Sequence, residues 1–287
     1  KKHFFYQELR AVSSGTGPFH WLGGATYLKN HIDSDVRSPI LMPLNPASST
    51  LAVDNVTNYS IYGQVGYDIT SHLTLTASAR YNHEKHHTLF PATATQLTDE
   101  SVGLKEHKVT PSATLSYKLD GGGTIYARWA RGFKAGGVST VVPPSTFPTN
   151  QGLTFNPEQV DTFEGGVRAS LFDRKVQVTS AIFYNNYKNL QVTSRGTAAN
   201  PALIFAIVNA PKARTYGAEA SVTWRATQGL TLGINGGYLN AKYIKYQITS
   251  TVLQVDDFDH TRMINSPKVQ GAFFADLDQP INDDYKA

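Results

Sequence analysis

From Asn58 to Tyr81 apolar and polar residues alternate with a period of two, broken once by the four residues Ile69-Thr-Ser-His72. Ile61, Val65 and Tyr67 fall on one face, with Ser60, Gln64 and Asp68 on the other. Leu73, Leu75, Ala77, Ala79 and Tyr81 then share a face, opposite Thr74, Thr76, Ser78 and Arg80. A period of two means extended chain whose two faces meet different solvents. A tilted strand of about ten residues crosses a bilayer. Apolar-out, polar-in alternation is what a water-filled barrel requires.

The rhythm recurs along most of the 287 residues. It predicts eleven strands, near 4–13, 19–29, 58–68, 73–87, 106–119, 124–133, 159–171, 175–187, 203–225, 230–246 and 268–277. Short connections rich in Gly, Asp and Asn, such as Asp120-Gly-Gly-Gly123 and Phe172-Asp-Arg174, alternate with long ones near 30–57, 88–105, 134–158, 188–202 and 247–267. In an up-and-down barrel this puts tight turns at one end and long loops at the other, the pattern of periplasmic turns and extracellular loops. A soluble sandwich uses shorter strands and mixes its loop lengths. Seven prolines (Pro39, Pro43, Pro46, Pro91, Pro143, Pro144 and Pro148) sit in the long connections. Pro111 and Pro211 fall inside strands and predict a bulge or an unpaired stretch there, because proline cannot donate to a ladder.

Composition narrows the alternatives. The longest apolar run, Ala202–Val208, is far short of the roughly 18 residues a membrane helix needs. The chain has no cysteine, so disulfides, thiolate metal sites and cysteine nucleophiles are excluded. A net charge of +4 with scattered basic residues does not point to nucleic acid. Lys1–Arg10 has no apolar segment of a secretory signal. If the protein reaches an outer membrane, its own N-terminus is expected to lie upstream.

One stretch is more specific than alternation. Asn156-Pro-Glu-Gln-Val-Asp-Thr-Phe-Glu-Gly-Gly-Val-Arg168 runs through Phe172-Asp-Arg174 to Ala181-Ile-Phe-Tyr-Asn-Asn-Tyr-Lys-Asn-Leu-Gln191. It resembles the barrel of TonB-dependent outer-membrane receptors. Tyr126-Ala-Arg-Trp-Ala-Arg-Gly-Phe-Lys-Ala-Gly-Gly137 is similar to the strand and loop just upstream in that family, and Asn209–Ala220 to the next segment. Gln7–Arg10 with Trp21–Ala25 resembles an earlier hairpin. The resemblance implies an all-β, antiparallel up-and-down transmembrane barrel in a bacterial outer membrane. Complete barrels of this kind have about 22 strands. Residues 1–287 are therefore expected to be an internal fragment, about half the barrel, with the plug domain and the C-terminal strands missing. Glu164, Arg168 and Glu219 share the polar phase of their strands and are expected in the lumen, and Gly165, Gly166, Gly236 and Gly237 to mark bends or close approaches.

Candidate chemistry is sparse. His83-Glu-Lys-His-His87 puts two histidines on one strand face without a convergent third ligand, so a solvated strand end is expected rather than a metal site. Ala135-Gly-Gly137 lacks the spacing and helix of a phosphate loop, and no Gly-x-Ser-x-Gly occurs. Asp256-Asp257 and Asp283-Asp284 read as solvated. No cofactor, metal or enzymatic activity is expected.

The resemblance implies a receptor that imports a scarce nutrient, a ferric siderophore first, with energy from the TonB complex acting on the plug. Vitamin B12 and glycans are alternative cargoes. A passive outer-membrane porin, an outer-membrane enzyme and a soluble all-β binding protein are the competing classes. Partners are then outer-membrane lipid, the TonB complex and a small nutrient, with no nucleic acid. Ligand contacts in such receptors come from the extracellular loops and upper lumen, here Phe133, Lys134, Tyr243, Tyr246 and loop 134–158. Aromatic rings there can stack on a ligand, and basic groups attract an anionic one.

Overall fold

The computed structural model describes residues 1–37, 49–92, 98–138, 154–194, 206–251, 254–278, 280–282 and 285–286. Its strands are β1 (Lys2–Val12), β2 (Phe19–Arg37), β3 (Ser49–Asp68), β4 (Leu73–Phe90), β5 (Glu100–Leu119), β6 (Gly123–Lys134), β7 (Gly137–Val138), β8 (Thr154–Phe155), β9 (Glu158–Leu171), β10 (Val176–Ser194), β11 (Ala206–Arg225), β12 (Leu230–Lys245), β13 (Gln247–Thr251), β14 (Gln254–Asp257), β15 (Val269–Leu277), β16 (Pro280–Asn282) and β17 (Tyr285–Lys286). Eleven of them form one sheet in the order β1-β2-β3-β4-β5-β6-β9-β10-β11-β12-β15, and each neighbouring pair is antiparallel. The three remaining pairs, β7–β8, β13–β14 and β16–β17, are small ribbons.

Register carries one face unbroken across the sheet. Ile61 pairs with Tyr81 and Tyr81 with Val109. Trp129 pairs with Phe163, Phe163 with Tyr184 and Tyr184 with Tyr216. This face is apolar, yet nothing in the described residues covers it: Ile61 is 67% exposed and Ile234 59%. Leu75 is exposed too, while neighbours half-bury Val167 and Leu232. No water-soluble core contains them; hydrocarbon is the solvent that makes such a surface favourable.

Two aromatic rows bound the apolar band. The upper one runs Phe5, Tyr27, Tyr59, His83 and His107, with successive ring centroids 6.1, 6.0, 5.2 and 4.5 Å apart. It continues through Trp129, Phe163, Tyr184 and Tyr216. The lower row contains Phe19, its partner Tyr67, Tyr117 and Trp224. Tyr59 to Tyr67 and Tyr216 to Trp224 are the same number of residues apart, about 27 Å of strand, which at a tilt of about 35–45° gives about 20 Å of height, comparable with an outer-membrane barrel's apolar belt.

All eleven expected strands form, but the long connections are shorter than expected. β2 reaches Arg37, β3 starts at Ser49, and β10 runs to Ser194. Apolar alternation stops at the upper aromatic row, because beyond it both faces meet water or protein; backbone pairing continues regardless. Residues 38–48, 139–153, 195–205 and 283–284, which hold several of the loop prolines, part of the apolar run and Asp283-Asp284, lie outside the described set.

Both strand prolines mark irregularities. β5 pairs with β4 along its length, but its ladder to β6 begins only at Ser112–Ala130. Pro111, lacking an N–H, stands where that seam opens. Pro211 lies opposite Asn189, which has φ of 54°, and next to a register shift at Lys212/Ala213. Of the four glycines expected to mark close approaches, Gly166 does so: a Cβ there would lie 2.7 Å from the Tyr126 hydroxyl and 2.8 Å from the Ser180 carbonyl oxygen.

Candidate functional site

The inner face is polar and closely hydrogen-bonded. On β1–β4, Glu8 accepts bonds from the hydroxyls of Tyr6 and Tyr62. Arg80 donates to Thr26 and to Asn82, each at 3.0 Å, and its guanidinium lies 5.5 Å from the Tyr62 ring centre. Thr26 and Ser60 share a 2.5 Å hydrogen bond. On β6 and β9, Tyr126 covers Gly166 and donates to Glu164 at 2.7 Å, while Arg168 lies over its ring at 5.8 Å. A charge on the opposite face would stand in hydrocarbon at a cost of about 2–4 kcal/mol. Glu164, Arg168 and Glu219 therefore take the lumen phase that their spacing predicts.

At the long-loop end the connection from β6 to β9 turns inward. Gly136, Gly137 and Val138 are buried there. Val138 packs with Ala52 and Phe90, beside Val102, Leu104 and Val208. The backbone N–H of Gly136 donates to Glu106 on β5 at 3.1 Å. On the other side Gln191 of β10 donates to the Ala135 carbonyl at 2.7 Å, and Asn209 of β11 accepts from the Asn156 N–H at 2.7 Å. The β7–β8 ribbon thus lies within the mouth, tied to β5 on one side and to β10 and β11 on the other. Glycine is required at 136: a Cβ would lie 2.5 Å from the Phe155 carbonyl oxygen and 2.6 Å from Glu106. In sequence Ala135-Gly-Gly137 reads only as not being a phosphate loop; its close approach to Phe155 and Glu106 is visible only in the tertiary packing.

Beside the ribbon, above the aromatic row, His86 of β4 meets Asp54 of β3. Its Nε2 lies 2.7 Å from one carboxylate oxygen and 2.9 Å from the other, and Thr88 donates to Asp54 at 2.8 Å. The hydrogen bond to Asp54 raises the His86 pKa against the opposing effect of burial. Burial pushes Asp54 up, but the His86 hydrogen bond and charge, with Thr88, bring it below the ordinary carboxylate value. His86 Nδ1, Glu106 Oε2 and Gln191 Oε1 are buried without a hydrogen-bond partner among the described residues.

The four residues singled out in the sequence lie in two places. Phe133 and Lys134 end β6; register puts Phe133 on the face of Trp129 and Lys134, exposed, on the inner phase. Tyr243, on β12, and Tyr246, just beyond its end, lie four strands along the wall from β6. Their ring centroids are 4.8 Å apart, and Tyr246 stacks on Phe258 at 5.3 Å. Both are buried, in a cluster with Ala210 and Ala213. His83 meets His107 at 2.9 Å rather than His87. Among the described residues no three His, Asp or Glu side chains converge as a metal site.

Residues 4–286 match the family described as TonB dependent receptor-like, beta-barrel. The chain belongs to the TonB-dependent receptor family. Over 239 residues it is 24% identical to the pesticin receptor of Yersinia pestis, an alignment covering 83% of this chain and 34% of that protein. The chain thus spans about a third of the length of the curated relatives it matches. Two solved receptors share the fold. The ferric yersiniabactin uptake receptor FyuA from Yersinia pestis superposes with a TM-score of 0.74 at 19% identity, covering 97% of this chain and 40% of that one. The siderophore receptor PiuA from Acinetobacter baumannii gives 0.71 at 18%, with 96% and 43% covered. As a TonB-dependent receptor barrel, the chain resides in the outer membrane of Gram-negative bacteria. Barrels of this kind carry an apolar band outward, tight turns on the periplasmic side and long loops outside, and on that pattern the ribbon lies at the long-loop mouth.

Proposed function

We propose that this chain is part of the barrel wall of a receptor importing a ferric siderophore, driven by a TonB complex acting on a plug outside these residues. Further strands pair with β1 and β15, whose unpaired edges would otherwise attract other chains. The observation that carries the reading is the inward ribbon. A β-ribbon folded over the inner face at the mouth, above a charged and hydrogen-bonded wall, suits selective capture; dependence on TonB is what separates this reading from a passive pore. Names of two similar solved structures, receptors for ferric yersiniabactin and for a siderophore, support an iron chelate as cargo. Exposed Lys134 on the inner phase is the proposed ligand-side group, with Phe133 beside it and the buried Tyr243–Tyr246 pair as packing that holds the rim in place.

The test uses the full-length protein in cells lacking other iron receptors. Uptake of radiolabelled iron from yersiniabactin, a catecholate siderophore and citrate is measured with and without a functional TonB complex. Uptake of at least one chelate that stops without TonB is expected. No uptake of any, or uptake indifferent to TonB, overturns the proposal.

A further inference from the structure

Just above the upper aromatic row, β10, β11 and β12 turn five cations toward the lipid-facing side. Register aligns Lys188 with Lys212 and Lys212 with Lys245. One step nearer the membrane, Arg214 pairs with Lys242. All five are exposed. The ring centre of Tyr184, a member of the aromatic row, lies 6.0 Å from the Arg214 guanidinium. That contact fixes the level of the cations at the membrane boundary.

No described acid lies within ion-pair distance of them, and Asp161 attracts Lys188 only from further off. None of the five makes an ion pair among the described residues. The acid that register places beside them is Asp161, opposite Asn186. Its carboxylate is already held by Arg131, at 2.7 and 3.1 Å. Like charges directly across a ladder repel, so three lysines in register are unfavourable unless an anion lies among them. At this depth, immediately outside an aromatic belt, the available anions are lipid headgroup phosphates. Lysine stems can lie along the apolar belt while their ammonium groups reach the headgroup. Arg214 supplies a two-pronged donor suited to phosphate.

We propose that Lys188, Lys212, Arg214, Lys242 and Lys245 form an external docking site for a phosphate-bearing lipid of the outer leaflet. The site lies on the outside of the wall, so it is independent of what passes through the lumen. It requires only that the apolar face meets lipid.

The test measures binding of bisphosphorylated lipid A to the full-length protein in neutral detergent micelles, by native mass spectrometry and fluorescence titration. Replacing all five cations by glutamine is expected to weaken binding at least about tenfold. Dephosphorylated lipid A should bind the unaltered protein no better than the phosphorylated lipid binds the variant. Replacing Lys118, Arg174 and Lys175, at the opposite end of the barrel, should leave binding unchanged. Heat-modifiable gel migration checks folding, and Lys212→Gln with Lys245→Gln serves if the fivefold variant fails to fold. Equal binding by variant and unaltered protein, equal binding of the dephosphorylated lipid, or equally tight binding of inorganic phosphate alone overturns the proposal.

Discussion

His86 reaches both carboxylate oxygens of Asp54, at 2.7 and 2.9 Å, from the neighbouring strand and beside the ribbon that folds over the inner face. The two groups shift in opposite directions, which defines a pH window. His86 is raised, so its contribution is full below its unfolded value, near 6.5, and lost as pH climbs through its folded value. Asp54 is lowered, so its contribution is present above about 3.8 and lost as pH falls through its folded value. The pair holds best between about pH 4 and 6.5. Amides near Asn55 and His87 should exchange faster at pH 9 than at pH 5.5, after correction for intrinsic rates. His86→Gln should flatten that difference; an unchanged profile would contradict it.

Gly136→Val should dislodge the ribbon. The added carbon meets backbone at Phe155 as well as the Glu106 carboxylate, so the segment must move. Protease sensitivity between residues 134 and 158 should rise, with barrel stability little changed, because the ribbon adds no pairing to the main sheet. Limited proteolysis of the folded protein in micelles distinguishes these results.

Ile234→Arg and Asn235→Arg are neighbours on β12 with opposite outcomes. Ile234 lies midway between Leu230 and Tyr238 on the lipid face, where a cation costs about 2–4 kcal/mol. Asn235 faces the lumen. Membrane insertion, followed by heat-modifiable migration, should fall sharply for the first and stay near normal for the second. Similar losses in both would reverse the face assignment.

Gly166→Val should damage the wall itself. Tyr126 could swing away, but the Ser180 carbonyl belongs to the ladder and cannot retreat without breaking it. A destabilisation of about 1–3 kcal/mol, typical of overpacking, is expected. Gly165→Val, one position back on the opposite, lipid-facing side and at ordinary contact distance from its neighbours, should cost less. Thermal unfolding in micelles measures both.

Local pattern sufficed for the eleven strands, their antiparallel order and the face each residue takes, because a period of two is a property of neighbours in the chain and each face meets one solvent. It stopped being informative at the upper aromatic row. Past Tyr59, residues such as Asp54 and Asn55 are polar on both faces, so nothing in their order announces that pairing continues. Pro111 and Pro211 announced irregularities without showing their form. The seam between β5 and β6 and the bulge beside Asn189 are arrangements between strands.

The wall was legible in the residues alone: which side chains take the apolar outer face, which take the lumen face, and where the tight turns lie. The mouth and the outer charge depend instead on packing and register. Ala135–Val138 folds back onto residues about thirty positions before it and fifty-five or more after it, as in Gly136 to Glu106 and Ala135 to Gln191. Lys188, Lys212 and Lys245 become one patch only through register. Alternation records the solvent each side chain faces; it carries no information about which distant segments lie beside one another.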